Sequence, residues 1–336
     1  MNKLVVYALC FAMCAGSVSC SNSEVEDFQS EVVSNNNGEQ KALSALEHEI
    51  ALYNAQVLGL EGRQTKGWFK RFMRKVMIVL GADAMGAMLG AGTGAPAGPV
   101  GTLVGGGVGA VSASAMAAVA VRKGYLDLND DPFGYKKPYA INLDSAMNQH
   151  LVVSFNPNCM KELVPTRTMV CFGDINDLRV DSLGYLHNIS LIKVNERKPQ
   201  WVNSSFQQIS LSATREFMNE ARWRQYAIEN MHYKTYPVVI RIADAANKST
   251  NLEDFCKRMN YICPQMKGKT EVLSQAILGL GQVSEQELNS REYMEKLLDY
   301  VEKSDVDMKT KMELRIGIIV AHASSKLWDA AEFENQ

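Results

Sequence analysis

The sequence predicts a mainly α protein: a glycine-lined helical hairpin in the first half, an irregular helical bundle in the second, and apolar runs between them that read equally as short strands or buried helix pieces. Three observations carry this reading. Glycine recurs at every fourth position in two adjacent runs, Gly86, Gly90, Gly94 and Gly98, then Gly101, Gly105 and Gly109, which on a helix stacks the glycines along one face. Two long apolar stretches flank a break containing Pro96, Gly98 and Pro99. From about Leu211 onward, apolar residues recur at helical spacing. A glycine inside a helix costs roughly 1 kcal/mol relative to alanine, so seven aligned glycines cost about 7 kcal/mol unless a second backbone packs closely on the bare stripe.

At 336 residues and 46% hydrophobic content the chain is long enough to bury a core and to form about two domains. A formal net charge of -2 gives no global attraction to nucleic acid, so any electrostatic partner is met locally. The expected order is a targeting segment (1–20), a polar tether and amphipathic helix (21–65), a basic entry with the hairpin (66–123), a linker (124–138) and a mainly helical soluble domain (139–336).

The first twenty residues have the composition of an export signal: Lys3, an apolar stretch from Leu4 to Ala15, then small residues into Ser17-Val18-Ser19-Cys20. The apolar stretch is shorter than the roughly 20 residues a membrane span needs. This start resembles a bacterial lipoprotein signal, in which the cysteine, here Cys20, is lipidated and becomes the mature N-terminus. The chain departs from that pattern at Ser17, where the family prefers leucine, and an ordinary cleaved secretory signal is the alternative. After Cys20, Glu24, Glu26, Asp27 and the run Asn35-Asn36-Asn37-Gly38 read as a flexible tether. From about Gln40 to Leu60, Leu43, Leu46, Ile50, Tyr53, Val57 and Leu60 alternate by three and four. That pattern fits a short coiled coil or an amphipathic helix docked on its own chain.

Lys66 to Lys75 interleaves basic and large apolar residues. Trp68 and Phe69 with Lys70, Arg71, Arg74 and Lys75 suit a membrane interface, with aromatics at headgroup depth and cations toward anionic lipid. Val76 to Gly94 is then interrupted only by Asp83, and Val100 to Val121 carries no charge. The two arms are roughly 28 and 33 Å long at about 1.5 Å per residue, close to a hydrocarbon thickness. The tip is expected near residues 95–99. Asp83 would cost up to about 3 kcal/mol at a bilayer centre.

Together with the lipoprotein start, residues 66–123 resemble the glycine-zipper hairpins of small Gram-negative surface lipoproteins such as the 17 kDa surface antigen group, and also the glycine-rich segments of some pore-forming bacteriocins. The resemblance covers about a quarter of the chain and leaves the C-terminal region without a counterpart. It implies a non-enzymatic cell-envelope lipoprotein, expected at the outer membrane on its periplasmic or surface face. Such a protein would meet membrane lipid through its anchor and hairpin, present its helical domain to a partner on the aqueous side, and meet a protein partner or further copies of itself through the hairpin. The alternative it implies is an exported pore-forming protein, which would permeabilise liposomes from outside.

In the C-terminal region, Leu151 to Phe155, Met169 to Phe172 and Leu191 to Val194 are the short apolar runs. Ser284-Glu285-Gln286-Glu287 matches a capping box ahead of an apolar face, and Ser304 to Asp307 leads into another helix.

Chemistry-bearing motifs are sparse. No glycine run ends in Gly-Lys-Ser or Gly-Lys-Thr, so nothing in it holds phosphate and magnesium. The five histidines never fall at a metalloprotease spacing, and no short cysteine pair suits zinc, so neither a metal nor a cofactor is expected. Once Cys20 is assigned to lipid, Cys159, Cys171, Cys256 and Cys263 remain beyond the signal. In an exported protein they suggest two disulfides, for which three pairings are open; the local one, Cys159 with Cys171 and Cys256 with Cys263, is set against four buried free thiols. His187-Asn188, after Gly184, either line a ligand pocket or cap a helix. Arg222-Trp223-Arg224-Gln225-Tyr226 suits either an anionic partner or an amphipathic helix face.

Overall fold

The computed structural model describes residues 22–59, 78–122, 151–155, 182–201, 204–221, 239, 241–242, 245, 248–262, 264–286, 288–329 and 331–335. Cys20, the interface residues Trp68 to Lys75, the expected linker, Met169 to Phe172, Cys159, Cys171, Cys263 and the Arg222 to Tyr226 cluster all lie outside them. The described residues form nine α-helices and one pair of strands, which makes the protein mainly α.

The hairpin is α2 (Ile78–Gly94), one 3-10 turn (Ala95–Ala97) and α3 (Gly98–Arg122). Its tip falls where Pro96 and Gly98 predict it, with Gly98 at φ 79° in the region that favours glycine. Gly98 therefore serves the turn and does not extend the stripe: a Cβ there would meet nothing. The other six glycines face one another in antiparallel register. A Cβ on Gly86, Gly90 or Gly94 would come closer than 3.0 Å to the carbonyl oxygen of Gly109, Gly105 or Gly101 respectively, and one on Gly105 or Gly109 would strike back in the same way. The cost of glycine in these helices is thus offset by direct backbone packing.

Asp83 apart, both hairpin helices are apolar all round, and such helices sit either in a protein core or in a membrane. Here other helices cover them. Every residue of α3 from Gly101 to Val119 is buried, under α4 (Leu183–Arg197), α5 (Phe206–Glu220) and α9 (Met308–Asp329), and α2 also meets α7 (Lys269–Glu285). Phe217 of α5 lays its ring on Gly107, Ile316 of α9 sits on Gly106, and Met88 of α2 reaches Gly317 of α9. The core of the C-terminal region is therefore built around the hairpin.

Local chemistry sets the ends of these helices. Ser205 opens α5 with a capping box completed by Gln208. Asp307 opens α9 by accepting from the Thr310 amide at 2.7 Å. The Ser284–Glu287 sequence does not open a helix as expected, because α7 runs through Glu285; Asn289 caps α8 (Ser290–Lys303) instead, accepting from the Glu292 amide. Leu151–Phe155 is a strand, β1, paired antiparallel with β2 (Ala331–Asn335), Val153 opposite Phe333. Leu191–Val194 resolves as helix, the inner turns of α4.

Two further expectations are corrected. The segment read as a flexible tether is helical, since α1 runs unbroken from Asn22 to Leu58. No proline interrupts this stretch, and the helix stops at Gly59, which is left-handed at φ 60° with its N–H bonded to the Ala55 carbonyl. The division between hairpin and C-terminal domain is also absent. The chain separates into Met1–Ala42 and Leu43–Gln336, and the second unit contains the hairpin and the C-terminal helices together.

Within that second unit, the end of α1 docks on its own chain and departs from the heptad pattern. Leu43, Leu46, Ile50, Asn54 and Leu58 are buried, whereas Val57 is 42% exposed. Asn54 donates to the Gln275 carbonyl at 2.9 Å and accepts from the Tyr293 hydroxyl, while Tyr53 stacks on the Tyr293 ring at 5.5 Å.

Candidate functional site

An apolar core has no natural place for a carboxylate, yet Asp83, the one ionisable residue of α2, is 0% exposed. Helical geometry aims it at three other helices, and each supplies a polar group. Ser114 of α3 donates to Asp83 Oδ2 at 2.9 Å, and Ser324 of α9 donates to the same oxygen. His187 of α4 points Nε2 at that oxygen from 3.6 Å, beyond hydrogen-bond range. Behind it, His187 Nδ1 lies 2.8 Å from Asn188 Oδ1, and Asn188 Nδ2 donates to the Ala323 carbonyl of α9 at 2.8 Å. Trp328 closes the ring of contacts, its indole N–H donating to Ser114 Oγ at 3.2 Å. Asp83 Oδ1 and His187 Nε2 remain without hydrogen-bond partners.

Burial dominates the electrostatics. It pushes the Asp83 carboxyl up to about 8, against the two serine hydroxyls that favour the carboxylate. It pushes the His187 imidazole down to about 4, against the Asn188 contact. Both groups are therefore held neutral at pH 7, the acid protonated and the imidazole not.

The cluster contains serine, histidine and aspartate, but not in a nucleophilic arrangement. His187 Nε2 faces the carboxylate and neither serine, and the cluster residues Ser114, Ser324, Asp83 and His187 are all buried at 0% exposure. A triad needs its base against the hydroxyl and its hydroxyl open to substrate. No group of three or more metal-ligating side chains occurs among the described residues.

The His187-Asn188 pair, expected to line a pocket or cap a helix, does neither; both lie inside α4 and join the hairpin to α9. Asp83 was legible as the lone charge in an apolar stretch. Ser324, lying 241 positions away, carried no local signal that it would meet Asp83.

A second feature is a cavity of about 540 Å³ bordered by α1, α6 (Leu252–Ile262) and α7, with Glu47, Asn54, Cys256, Asn260, Glu271 and Gln275 in its lining. Cys256 is a free thiol, and burial pushes it up to about 12, which makes it a poor nucleophile. Cys263, its expected partner, lies outside the described residues.

Comparison with protein-family models, with curated proteins and with solved structures finds no match to this chain.

Proposed function

We propose that the chain is a non-enzymatic, lipid-anchored cell-envelope protein in which the glycine-zipper hairpin is the packed centre of a helical body, and that this body meets a protein partner through its outer helices. The observation that carries the reading is the burial of α3 from Gly101 to Val119 beneath helices of the same chain. A hairpin covered in this way does not need a bilayer to satisfy its apolar surface. Its glycine stripes are occupied by each other, so self-association through that face has no free stripe to use and a partner must meet another surface. The export start and Cys20 remain the source of the membrane attachment.

Alkaline carbonate extraction of membranes from cells producing the Cys20→Ser variant, with export verified separately, tests the reading. The exported variant is expected in the supernatant. Retention in the pellet without aggregation would overturn the packing role. The exported pore-forming alternative draws on α3, whose Gly98–Val119 stretch has the length and hydropathy to cross a bilayer, a property that buried core helices share. Dye release from liposomes on addition of the purified chain would replace the present reading with that one.

A further inference from the structure

The hydrogen-bond inventory around Asp83 fixes more than a set of contacts. Asn188 Nδ2 donates to the Ala323 carbonyl, so the amide is oriented with Oδ1 toward His187 Nδ1. A carbonyl oxygen only accepts, and Nδ1 therefore carries a hydrogen. A neutral ring then presents its bare Nε2 to Asp83 Oδ2. Ser114 Oγ already accepts from the Trp328 indole, which leaves its own proton for Asp83, and Ser324 donates to the same oxygen. An ionised Asp83 would set a carboxylate against a ring lone pair, with both groups fully buried. A protonated acid beside an imidazolium would bury an uncompensated charge.

We propose that Asp83 and His187 together carry a single proton, and that this charge-neutral state of the pair keeps the hairpin joined to α4 and α9. With one proton the pair is either neutral acid and neutral ring or carboxylate and imidazolium, and both forms have zero net charge. Loss of the proton loosens the junction at which all four helices meet. The inference deepens the packed-core reading above, and its test is independent of where the protein is anchored.

The neighbouring described groups are engaged elsewhere. Asp83 is the sole titratable residue of α2, and α3 adds only Arg122 at its end. On α4, Lys193 pairs with Glu220 and Arg197 with Glu216. On α9, Glu313 pairs with Lys269, Arg315 with Glu302, and His322 contacts Ser290; Lys326 is also partnered. On α7, Glu271 accepts from Asn260 and the Gly268 amide.

The sign of the pH dependence follows from the proton count. Asp83 titrates near 3.8 when unfolded and about 8 when folded, His187 near 6.5 and about 4. Between pH 4 and 6.5 both states hold one proton of the pair, so the pair contributes no slope. Between 6.5 and 8 the folded state holds one and the unfolded state none, so stability falls about tenfold per pH unit, about 30-fold over the interval. Above 8 neither state holds it and the slope ends.

Denaturant unfolding of the full chain across pH 4 to 9, compared with Asp83→Asn and His187→Gln, tests this. Asp83→Asn should abolish the loss above 6.5 and introduce a loss as the pH falls from 6.5 to 4. His187→Gln should turn the plateau into a tenfold loss per unit as the pH rises from 4. Survival of the alkaline loss in Asp83→Asn, or of the plateau in His187→Gln, overturns the proposal. If either variant fails to fold, nitrogen-15 spectra of histidine-labelled wild type decide: the neutral Nδ1–H form of His187, identified by its contact with the Asn188 amide, is expected, and a neutral Nε2–H form would refute it.

Discussion

The hairpin has two junctions that hold it by opposite means. Between α2 and α3 the contact is made by absent side chains: Gly86, Gly90 and Gly94 bring their backbone against Gly109, Gly105 and Gly101. Where the hairpin meets α4 and α9 the contact is made by side chains with chemistry, namely Asp83, Ser114, His187, Asn188 and Ser324. The first junction has nothing to titrate and no room to adjust. The second depends on hydrogen-bond partners and responds to pH. One sequence element can therefore be geometrically rigid on one face and chemically conditional on the other.

The sharpest way to break this comparison is Gly90→Ala. Its Cβ would strike the Gly105 carbonyl, and because the obstacle is backbone the two helices must separate. We expect a loss of about 3 kcal/mol in urea unfolding, at the upper end for overpacking, and the same loss at pH 6 and pH 8. A pH-dependent loss would show that the two junctions are coupled. Asn188→Ala should follow at about 2 kcal/mol, since it strips the partner from His187 Nδ1 and from the Ala323 carbonyl within a buried site. Unlike Gly90→Ala, it should also change the pH profile.

Gly107→Ala should cost less, about 1 to 2 kcal/mol, because its obstacle is a side chain, the Phe217 ring, and not backbone. The double variant Gly107→Ala, Phe217→Leu should recover part of that loss, as coupled neighbours do. Gly38→Ala, at an exposed helical position where a Cβ meets nothing, should raise helicity slightly, by at most about 1 kcal/mol of stability, readable by circular dichroism.

The same contrast explains what could be read in advance. Gly86 to Gly109, the tip at Pro96 and the start after Asp307 are local signals, set by residues within a few positions of one another, whereas the strand at Leu151 is decided by its distant partner at Ala331–Asn335. The cover over α3 is not local, because a helix apolar all round reads identically whether protein or lipid surrounds it. The Ser284–Glu287 box failed as a start because a capping sequence is only a set of donors and acceptors, and Ser284 and Glu285 already form the last residues of α7. The polar stretch from Asn22 reads as a tether by composition, yet it contains no proline and continues as helix through Gly38. Of the buried cluster, Asp83 and His187 were visible as unusual residues, but their meeting was not, since it depends on packing among helices distant in the chain.

The short connection through Ala95–Ala97 also has a consequence for the order of assembly. Contacts that close over a few residues form far faster than those separated by hundreds, because loop closure costs entropy. The two glycine helices can thus pair as soon as both have been synthesised, whereas Ser324 is joined to Asp83 across 241 positions and cannot arrive until most of the chain has followed. During that interval the paired helices have no lid of α9, and the nascent protein carries its most adhesive surface unprotected. Synthesis is accordingly the stage at which the apolar surface of this chain is most open to wrong contacts.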